Sequence, residues 1–479
     1  MECKRGMSFE ECELAILRNA VDKIEKKKGR KKIQNDEIKK IINIVEDFIR
    51  KKKGICYGGT AINNILPEKE QFYDKNIELP DYDFFSKTPL KDAKSLADIY
   101  HKHGYLEVEA KAGVHSGTFK VFVNFMPIAD ITYIVPELYD NLLIKSVNIS
   151  GIRYCPPNYL RMLMYLELSR PKGDASRWEK VLKRLTILNK IYPLNAKNCD
   201  VDDIQRIFES GYKEVSISRA GVVLNQNSNL NPQEKIFLIT RETFTRLGCV
   251  FFGAFANRLY LKNTKDLKRK PIPKIPDFDV LSTEPAKTAN ILKERLEQEN
   301  IRNIKINKKP GVGEIIAPHY EVKVGSETVA FIYEPLACHS YNEFDMNGNM
   351  YKFATLDTML SFYLAFLFTN RPYYNEKRIL CMSKYLFDVQ EKNRLKQKGL
   401  LKRFTIECYG EQHTLEDMRR MKTEIFKKLQ NKKSGAQKEY EWNFLKYDPA
   451  NPKKQRKTRG KKKKKRKRTR KRKKLMGLF

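Results

Sequence analysis

Apolar positions at helical spacing open the chain. Ile38, Ile41, Ile42, Val45, Phe48 and Ile49 fall on one stripe of a 3.6-residue turn, which predicts an amphipathic helix within residues 1–50. Ser8 and Glu11 have the S-x-x-E spacing of a capping box at a helix start, and Lys51-Lys52-Lys53-Gly54 has the cations and glycine of a helix end. The pattern then changes. Ile55-Cys56-Tyr57 reads as a short strand, Gly58-Gly59 as a turn, and Thr60 onward as a helix. Pro80-Asp81-Tyr82-Asp83-Phe84-Phe85-Ser86 is a strand candidate, and a helix is expected over 91–103. Phe119–Val123 and Ile128–Tyr133 read as two strands, with Asp130 interrupting the apolar run of the second. Residues 158–190 show helical spacing again, and 191–245 are mixed and mostly helical in character.

The pattern then repeats. Tyr57-Gly58-Gly59-Thr60-Ala61 has an echo in Phe252-Gly253-Ala254-Phe255-Ala256, and Pro80-Asp81-Tyr82-Asp83 returns as Pro276-Asp277-Phe278-Asp279. Val121-Phe122-Val123 matches Val322-Lys323-Val324, and Tyr165-Leu166 matches Tyr363-Leu364. Ordered matches at a nearly constant offset of about 200 residues indicate a duplicated unit. The copies differ at the positions that could bear chemistry: Gly59 becomes Ala254, Thr60 becomes Phe255 and Asp130 becomes Phe331. A bulky ring cannot cradle phosphate and phenylalanine cannot hold a metal, so the second copy is expected to keep its scaffold and lose its chemistry.

Composition narrows the partners. The 479 residues contain 94 Lys and Arg against 58 Asp and Glu, a net charge of +36. Residues 453–474 hold 18 of those bases and no acid, so the rest still carries +18. A polyanion is the simplest partner for such self-repulsion. Met359–Phe368 is the longest nearly apolar run, too short for a membrane span, and the acids among the first twenty residues leave no secretory apolar region. Nine scattered cysteines without a C-x-x-C motif suggest reduced thiols. His101 and His103 sit two apart without further ligands and are expected to be ordinary surface or loop residues.

Asp81 and Asp83 on a strand share one face, because strand side chains alternate with period two. Asp130 on a neighbouring strand would join them. Three converging carboxylates repel one another unless a cation sits between them, and an oxygen-rich site suits Mg²⁺ or Mn²⁺. Two such ions activate an attacking hydroxyl and stabilise a leaving pyrophosphate. The Gly58-Gly59-Thr60 turn at a helix start supplies backbone N–H groups and a hydroxyl for phosphates. A lone Gly-Gly is usually only a turn and a lone Asp-x-Asp only a solvated loop. Their conjunction with an isolated strand aspartate is more specific. Lys172, Arg177, Lys180 and Lys183 lie on or beside the following helical segment, where they would reach triphosphate or RNA backbone, or else form a solvated face. Core packing is the simpler reading of Tyr82, and a plain loop that of His115-Ser116-Gly117.

At these residues the chain resembles the DNA polymerase β-like nucleotidyltransferase superfamily. Gly58-Gly59-Thr60-Ala61-Ile62-Asn63, Pro80-Asp81-Tyr82-Asp83-Phe84-Phe85-Ser86, Leu166-Glu167-Leu168-Ser169-Arg170-Pro171 and Arg177-Trp178-Glu179-Lys180-Val181 are similar to the poly(A) polymerase catalytic subunits of large cytoplasmic DNA viruses, the poxviruses and giant viruses. The resemblance covers about residues 50–390. It implies an α+β (mixed α/β) fold of two tandem nucleotidyltransferase units, each a small mixed sheet plus a helical segment, the second degenerate. It further implies template-independent addition of AMP from ATP to single-stranded RNA 3′ ends, largely independent of sequence. Asp81, Asp83 and Asp130 would hold two Mg²⁺ or Mn²⁺ ions, Asp130 would help deprotonate the RNA 3′-OH, and Gly58, Gly59 and Thr60 would hold the β- and γ-phosphates. Lys172, Arg177 and Lys180 are the candidate nucleotide-side cations.

The organisation expected is an N-terminal helical segment (1–50), a catalytic domain (51–150), a helical segment (151–245), a degenerate copy (246–345), a C-terminal helical segment (346–445) and a basic disordered tail (446–479). The tail would clamp RNA or act as a nuclear-localisation-like signal; a membrane-surface role lacks an accompanying lipid-facing helix. In poxvirus relatives a separate processivity subunit assists. Here the tail and the duplicated body would stand in for it, with a homodimer as one arrangement. The resemblance implies a cytoplasmic setting, a virus factory or virion, and the tail leaves a nuclear one open. A poly(U) polymerase or CCA-adding enzyme would use the same acids, and a noncatalytic RNA-binding scaffold is the rival from another class.

Overall fold

The computed structural model describes residues 7–33, 36–73, 80–199, 203, 232–260, 277–346, 348–431 and 436–452. The basic run 453–474, the middle of the mixed stretch 191–245 and Pro276 lie outside them. Sixteen strands appear in chain order among the described residues. In the first half they are β1 (Ile55–Cys56), β2 (Tyr82–Ser86), β3 (Val108–Ala112), β4 (Thr118–Val123), β5 (Met126–Tyr133), β6 (Val147–Ile149) and β7 (Ile152–Tyr154). Then come β8 (Val250–Phe252), β9 (Phe278–Leu281), β10 (Ile304–Lys309), β11 (His319–Val324), β12 (Glu327–Tyr333), β13 (His339–Met346), β14 (Asn349–Ala354), β15 (Cys408–Tyr409) and β16 (Lys446–Tyr447).

The strands form two eight-stranded mixed sheets. One runs β16-β3-β4-β5-β2-β1-β7-β6 and the other β10-β11-β12-β9-β8-β14-β13-β15. Seven consecutive strands correspond one to one. In both sheets the inner pairs have the same sense: β5 is parallel to β2 as β12 is to β9, β1 is antiparallel to β2 as β8 is to β9, and β1 is parallel to β7 as β8 is to β14. The helices Gly58–Ile65 and Pro89–Lys102 also have counterparts, Gly253–Tyr260 and Pro285–Gln298. The duplication read from the sequence is thus a duplication of topology. The expected domain ends at 150 and 345 fall short of β7 and β14, which complete the respective sheets.

By packing, the chain divides into two units. The first holds the described residues within 1–134, 146–155 and 415–452; the second holds those within 135–145 and 156–414. The N-terminal segment is two helices, Phe9–Ile33 and Asp36–Lys52. The capping box forms as spaced: the Ser8 amide donates to Glu11 Oε2 (2.8 Å) and the Glu11 amide to Ser8 Oγ (3.2 Å). Ile38, Ile41, Val45, Phe48 and Ile49 are all buried. Each such side chain contributes roughly 1.5–3 kcal/mol when fully removed from water. Phe84 of β2 lies against Phe48 from this face of the sheet, so its neighbour Asp83 points to the opposite face.

The C-terminal segment returns to the first unit, which periodicity alone does not reveal. The strand β16 extends the sheet beside β3, pairing Lys446 with Lys111 and Tyr447 with Ala110. Lys94 binds Glu441 (2.8 Å), the Tyr447 hydroxyl donates to Asp98 (2.5 Å), and Trp442 lies edge-on to Phe119 and Tyr133. The Trp442 indole also donates to Ser116 Oγ (3.2 Å), which ties the His115-Ser116-Gly117 turn, exposed at His115 and Ser116, to the C-terminal segment. In the second unit the helices Pro157–Leu168 and Leu356–Phe366 pack together, and the Tyr165 hydroxyl donates to Gln390 (3.0 Å). Asp357 and Arg403 make a buried two-pronged ion pair at 2.6 and 2.9 Å.

The cysteines correct the sequence reading. Reduced thiols were expected, yet Cys199 is bonded to Cys381 and Cys338 to Cys408. Partners 182 and 70 residues apart leave no spacing signal, and the second pair meets only because β13 and β15 are neighbours. Cys56, Cys155 and Cys249 are buried and free. Among the described residues no helix is long and apolar enough to cross a membrane.

Replacing the half-buried Trp442 by alanine removes the ring that ties the C-terminal segment to β4 and β5. Trp442→Ala should lower the stability of the first unit by about 2–3 kcal/mol, read as an earlier urea transition. A transition at the wild-type concentration would contradict the packing role.

Candidate active site

The site is built on the face of the first sheet opposite the N-terminal helices. Asp83 of β2 and Asp130 of β5 are paired residues in the parallel register, so their side chains stand side by side. Asp81 lies two residues before Asp83 on the extended approach to β2 and projects to the same side. Asp81 is exposed, while Asp83 and Asp130 are half-buried. The charges feel one another: desolvation first and then the Asp130 charge push the Asp81 carboxyl above its ordinary value, and Lys120 opposes them. One oxygen of Asp130, Oδ1, is buried and accepts no hydrogen bond.

Beside the acids stands the glycine turn. The Tyr57 amide donates to the Asp83 carbonyl (2.9 Å), bringing the helix Gly58–Ile65 directly against β2. Gly58 has φ +72°, and a Cβ there would fall 2.7 Å from Asp83 Oδ2, so this approach requires glycine. The first-turn amides of that helix have no intrahelical acceptor, and Tyr57 supplies no side-chain cap. Those N–H groups are suited to an anion. Thr60 is arranged differently from expectation. It is buried and its hydroxyl donates to the Asp81 carbonyl (2.7 Å), so it holds the aspartate strand rather than offering a proton outward.

Sequence reasoning missed two polar neighbours. Lys120 of β4 is directly opposite Asp130 and forms an ion pair with its Oδ2. Tyr57 stacks on Phe85 (4.0 Å between centroids) and its hydroxyl bonds Thr132 (2.9 Å). Burial and then the Asp83 charge raise the Tyr57 phenol, so it stays protonated. The alternation Phe119-Lys120-Val121 would have shown that Lys120 faces away from the core. Only the strand register shows that it meets Asp130.

Lys172, in the turn after helix Pro157–Leu168, and Arg177 and Lys180, at the start of helix Trp178–Ile191, belong to the second packing unit and are exposed; Arg177 pairs with Glu167 (3.2 Å). Lys183 pairs with Glu179 on the same helix (2.6 Å). Tyr82 is buried and its hydroxyl donates to Glu46 (2.5 Å). Among the described residues no three acidic, histidine or cysteine side chains form a ready-made metal cage. Asp130 is neutralised by Lys120 instead. The donor set still fits a hard cation: three carboxylates, one with a buried oxygen that nothing satisfies.

The second copy repeats the frame without the fit. Asp279 is paired with Phe331 in the parallel register that holds Asp83 and Asp130 in the first. Phe331 stacks on Tyr373 (5.6 Å), and the Tyr333 and Tyr374 hydroxyls bond each other (3.0 Å). Phe255, in place of Thr60, packs among Phe251, Phe278 and Phe353. Gly253 keeps φ +71°. On the face of Asp279, the Phe331 ring stands where a third carboxylate would be needed; the Phe255 ring packs with Phe278 on the other face.

Comparison with known proteins bears out the resemblance read from the residues. Residues 43–174 match the family model described as the poly(A) polymerase catalytic subunit. Over 163 residues the chain is 36% identical to a protein of Acanthamoeba polyphaga mimivirus named a putative poly(A) polymerase catalytic subunit, covering 33% of this chain and 27% of that one. Over 187 residues it is 31% identical to the protein of that name from the Tick/Malawi isolate of African swine fever virus, 38% of this chain and 39% of the relative. The chain thus spans well under half the length of these curated relatives. In fold it is similar to the Megavirus polyadenylate synthase, with a TM-score of 0.72 at 21% identity, over 93% of this chain and 88% of that one. The homodimer expected from the sequence gains no support from these findings.

The Gly58 contact makes a prediction about folding alone. Gly58→Ala places a methyl against Asp83 at a left-handed φ, and should cost about 1–3 kcal/mol of stability. Thermal unfolding measures this. A variant as stable as wild type would show that the turn does not press on Asp83.

Proposed function

We propose that this chain is a template-independent RNA-tailing nucleotidyltransferase that adds AMP from ATP to RNA 3′ ends and releases pyrophosphate. The observation that carries the reading is the paired register of Asp83 and Asp130, with Asp81 on the same face and a glycine turn pressed against Asp83. Mg²⁺ or Mn²⁺ bound by Asp81, Asp83 and Asp130 would supply Lewis-acid neutralisation of the triphosphate and of the attacking hydroxyl. The Gly58 and Gly59 amides, free at the helix start, bind and orient the β- and γ-phosphates. Asp130 orients the RNA 3′-OH and takes its proton as that oxygen attacks the α-phosphorus, while the bond to the pyrophosphate oxygen breaks in line. Positioning and charge neutralisation carry the catalysis.

The base is chosen elsewhere than at the acids, which read phosphate. AMP as the added unit rests on the likeness to poly(A) polymerase catalytic subunits over residues 43–174. RNA as the acceptor is further supported by the net charge of +36 and by the 18 bases of residues 453–474. The segment just before those bases, through β16, is fastened to the first unit, so the tail departs from the unit that holds the acids. We read it as an electrostatic holder of RNA. The second unit, with its site filled by rings, serves as scaffold.

Purified protein incubated with a short RNA, Mg²⁺ or Mn²⁺ and each nucleotide separately should extend the RNA with ATP. Extension with UTP alone, or with CTP followed by ATP, would replace this reading by poly(U) or CCA addition. No extension with any nucleotide would leave a binding scaffold.

Asp83→Ala should cut tailing by at least about 10²-fold while RNA binding stays nearly intact. Asp279→Ala should alter neither. Equal loss from both would contradict an active first and inactive second copy. Deleting residues 453–479 should flatten the salt dependence of RNA binding, by about four decades per tenfold salt if some six phosphates are contacted. An unchanged slope would rule out the tail as the RNA holder.

A further inference from the structure

The lysine opposite Asp130 takes no part in the proposed reaction, and in the second copy it is replaced together with the acid. Lys120 is register-paired with Asp130 across β4 and β5. In the second sheet the corresponding pair across β11 and β12 is Glu321 opposite Phe331. Thus the position that loses its carboxylate also loses its lysine, while the strands, their order and their pairing are kept. Glu321 is satisfied instead by Lys309 (3.1 Å), Thr328 (2.8 Å) and Asn307 (3.2 Å), not by anything at position 331. A lysine that served the sheet independently of Asp130 would have no reason to vanish with the acid, so Lys120 acts through Asp130.

Within the first copy, Lys120 neutralises Oδ2 of Asp130 and leaves buried Oδ1 without a hydrogen bond. One oxygen is in use and the other is buried without a hydrogen bond, on a side chain that shares its face with Asp83 and Asp81. The ammonium is on a flexible stem whose side chain is about two-fifths exposed, so it can withdraw to solvent or to a neighbouring anion.

We propose that Lys120 is a placeholder cation, which occupies the carboxylate cluster before a divalent ion does and must be displaced from Asp130 when that ion loads. The proposal rests on the metal-dependent reading of this site. Its consequence is that nucleotide and metal load together. A divalent ion alone competes with Lys120 for Asp130, whereas an ion arriving with a triphosphate brings an alternative anion for the released ammonium. Lys120 is therefore a positioning residue acting through Asp130.

The test is Mn²⁺ binding to the full chain with no RNA present, read by the electron paramagnetic resonance signal of free Mn²⁺, without ATP and with ATP against the same Mn²⁺ and ATP in the absence of protein. Lys120→Met and Lys120→Gln remove the competing charge. Each should bind Mn²⁺ about tenfold more tightly than wild type without ATP, and ATP should then strengthen binding less than it does in wild type. Lys120→Arg keeps the charge and should keep the wild-type behaviour. Circular dichroism identifies which of the neutral variants is folded. If a folded neutral variant binds Mn²⁺ no more tightly than wild type, the placeholder role is overturned and the metal site stands. If neither wild type nor variants bind Mn²⁺ even with ATP, the metal-dependent reading falls and the placeholder role falls with it.

Discussion

Charge repulsion among carboxylates on one sheet face is the constraint around which the first unit is organised. A parallel register sets Asp83 beside Asp130, and strand alternation adds Asp81. Such a cluster is costly in water-poor surroundings unless positive charge balances it. The protein supplies part of the balance with Lys120 and leaves an oxygen of Asp130 unsatisfied. Backbone N–H groups at a helix start adjoin the same acids because Gly58 permits the chain to pass within contact of Asp83. Anion-seeking and cation-seeking groups therefore share one small area, which is what a nucleotide with its divalent ions requires.

The duplicated half shows the same frame released from that constraint. Seven strands keep their order and Gly253 keeps the left-handed φ of Gly58. With Phe331 at the position of Asp130, one of the three carboxylates is gone and a stacked ring takes its place. Burial, together with the nearby Asp279, raises the phenols of Tyr333, Tyr363 and Tyr374, so their hydroxyls stay neutral. Topology and chemistry are thus separable in this chain: the hydrophobic pattern maintains the sheet, and a few polar positions decide what the sheet can bind.

Much of the frame is legible in the sequence. The stripe from Ile38 to Ile49 and the Ser8 to Glu11 box specify helices locally, and both form. The offset of about 200 residues marked the repeat because both copies bury the same strands. What local pattern cannot carry is register and long-range partnership. Lys120 meets Asp130 only through the pairing of β4 and β5. The strand β16 joins a sheet whose other strands end nearly 300 residues earlier, and Cys338 finds Cys408 only because β13 and β15 are neighbours. Thr60 was read as a phosphate ligand from its place in the Gly-Gly-Thr turn. Its hydroxyl is instead turned to the Asp81 carbonyl, an orientation that depends on the strand lying beside the helix.

The proposed reaction requires that the three aspartates of the first copy share divalent ions. A crystal structure of the chain with Mn²⁺ and a non-hydrolysable ATP analogue, read by the anomalous signal of manganese, tests it most directly. Manganese peaks at about 2.0–2.2 Å from oxygens of Asp81, Asp83 and Asp130, and none beside Asp279, are the expected result. Manganese bound only elsewhere, with Lys120 still seated on Asp130 beside a bound nucleotide, would contradict it.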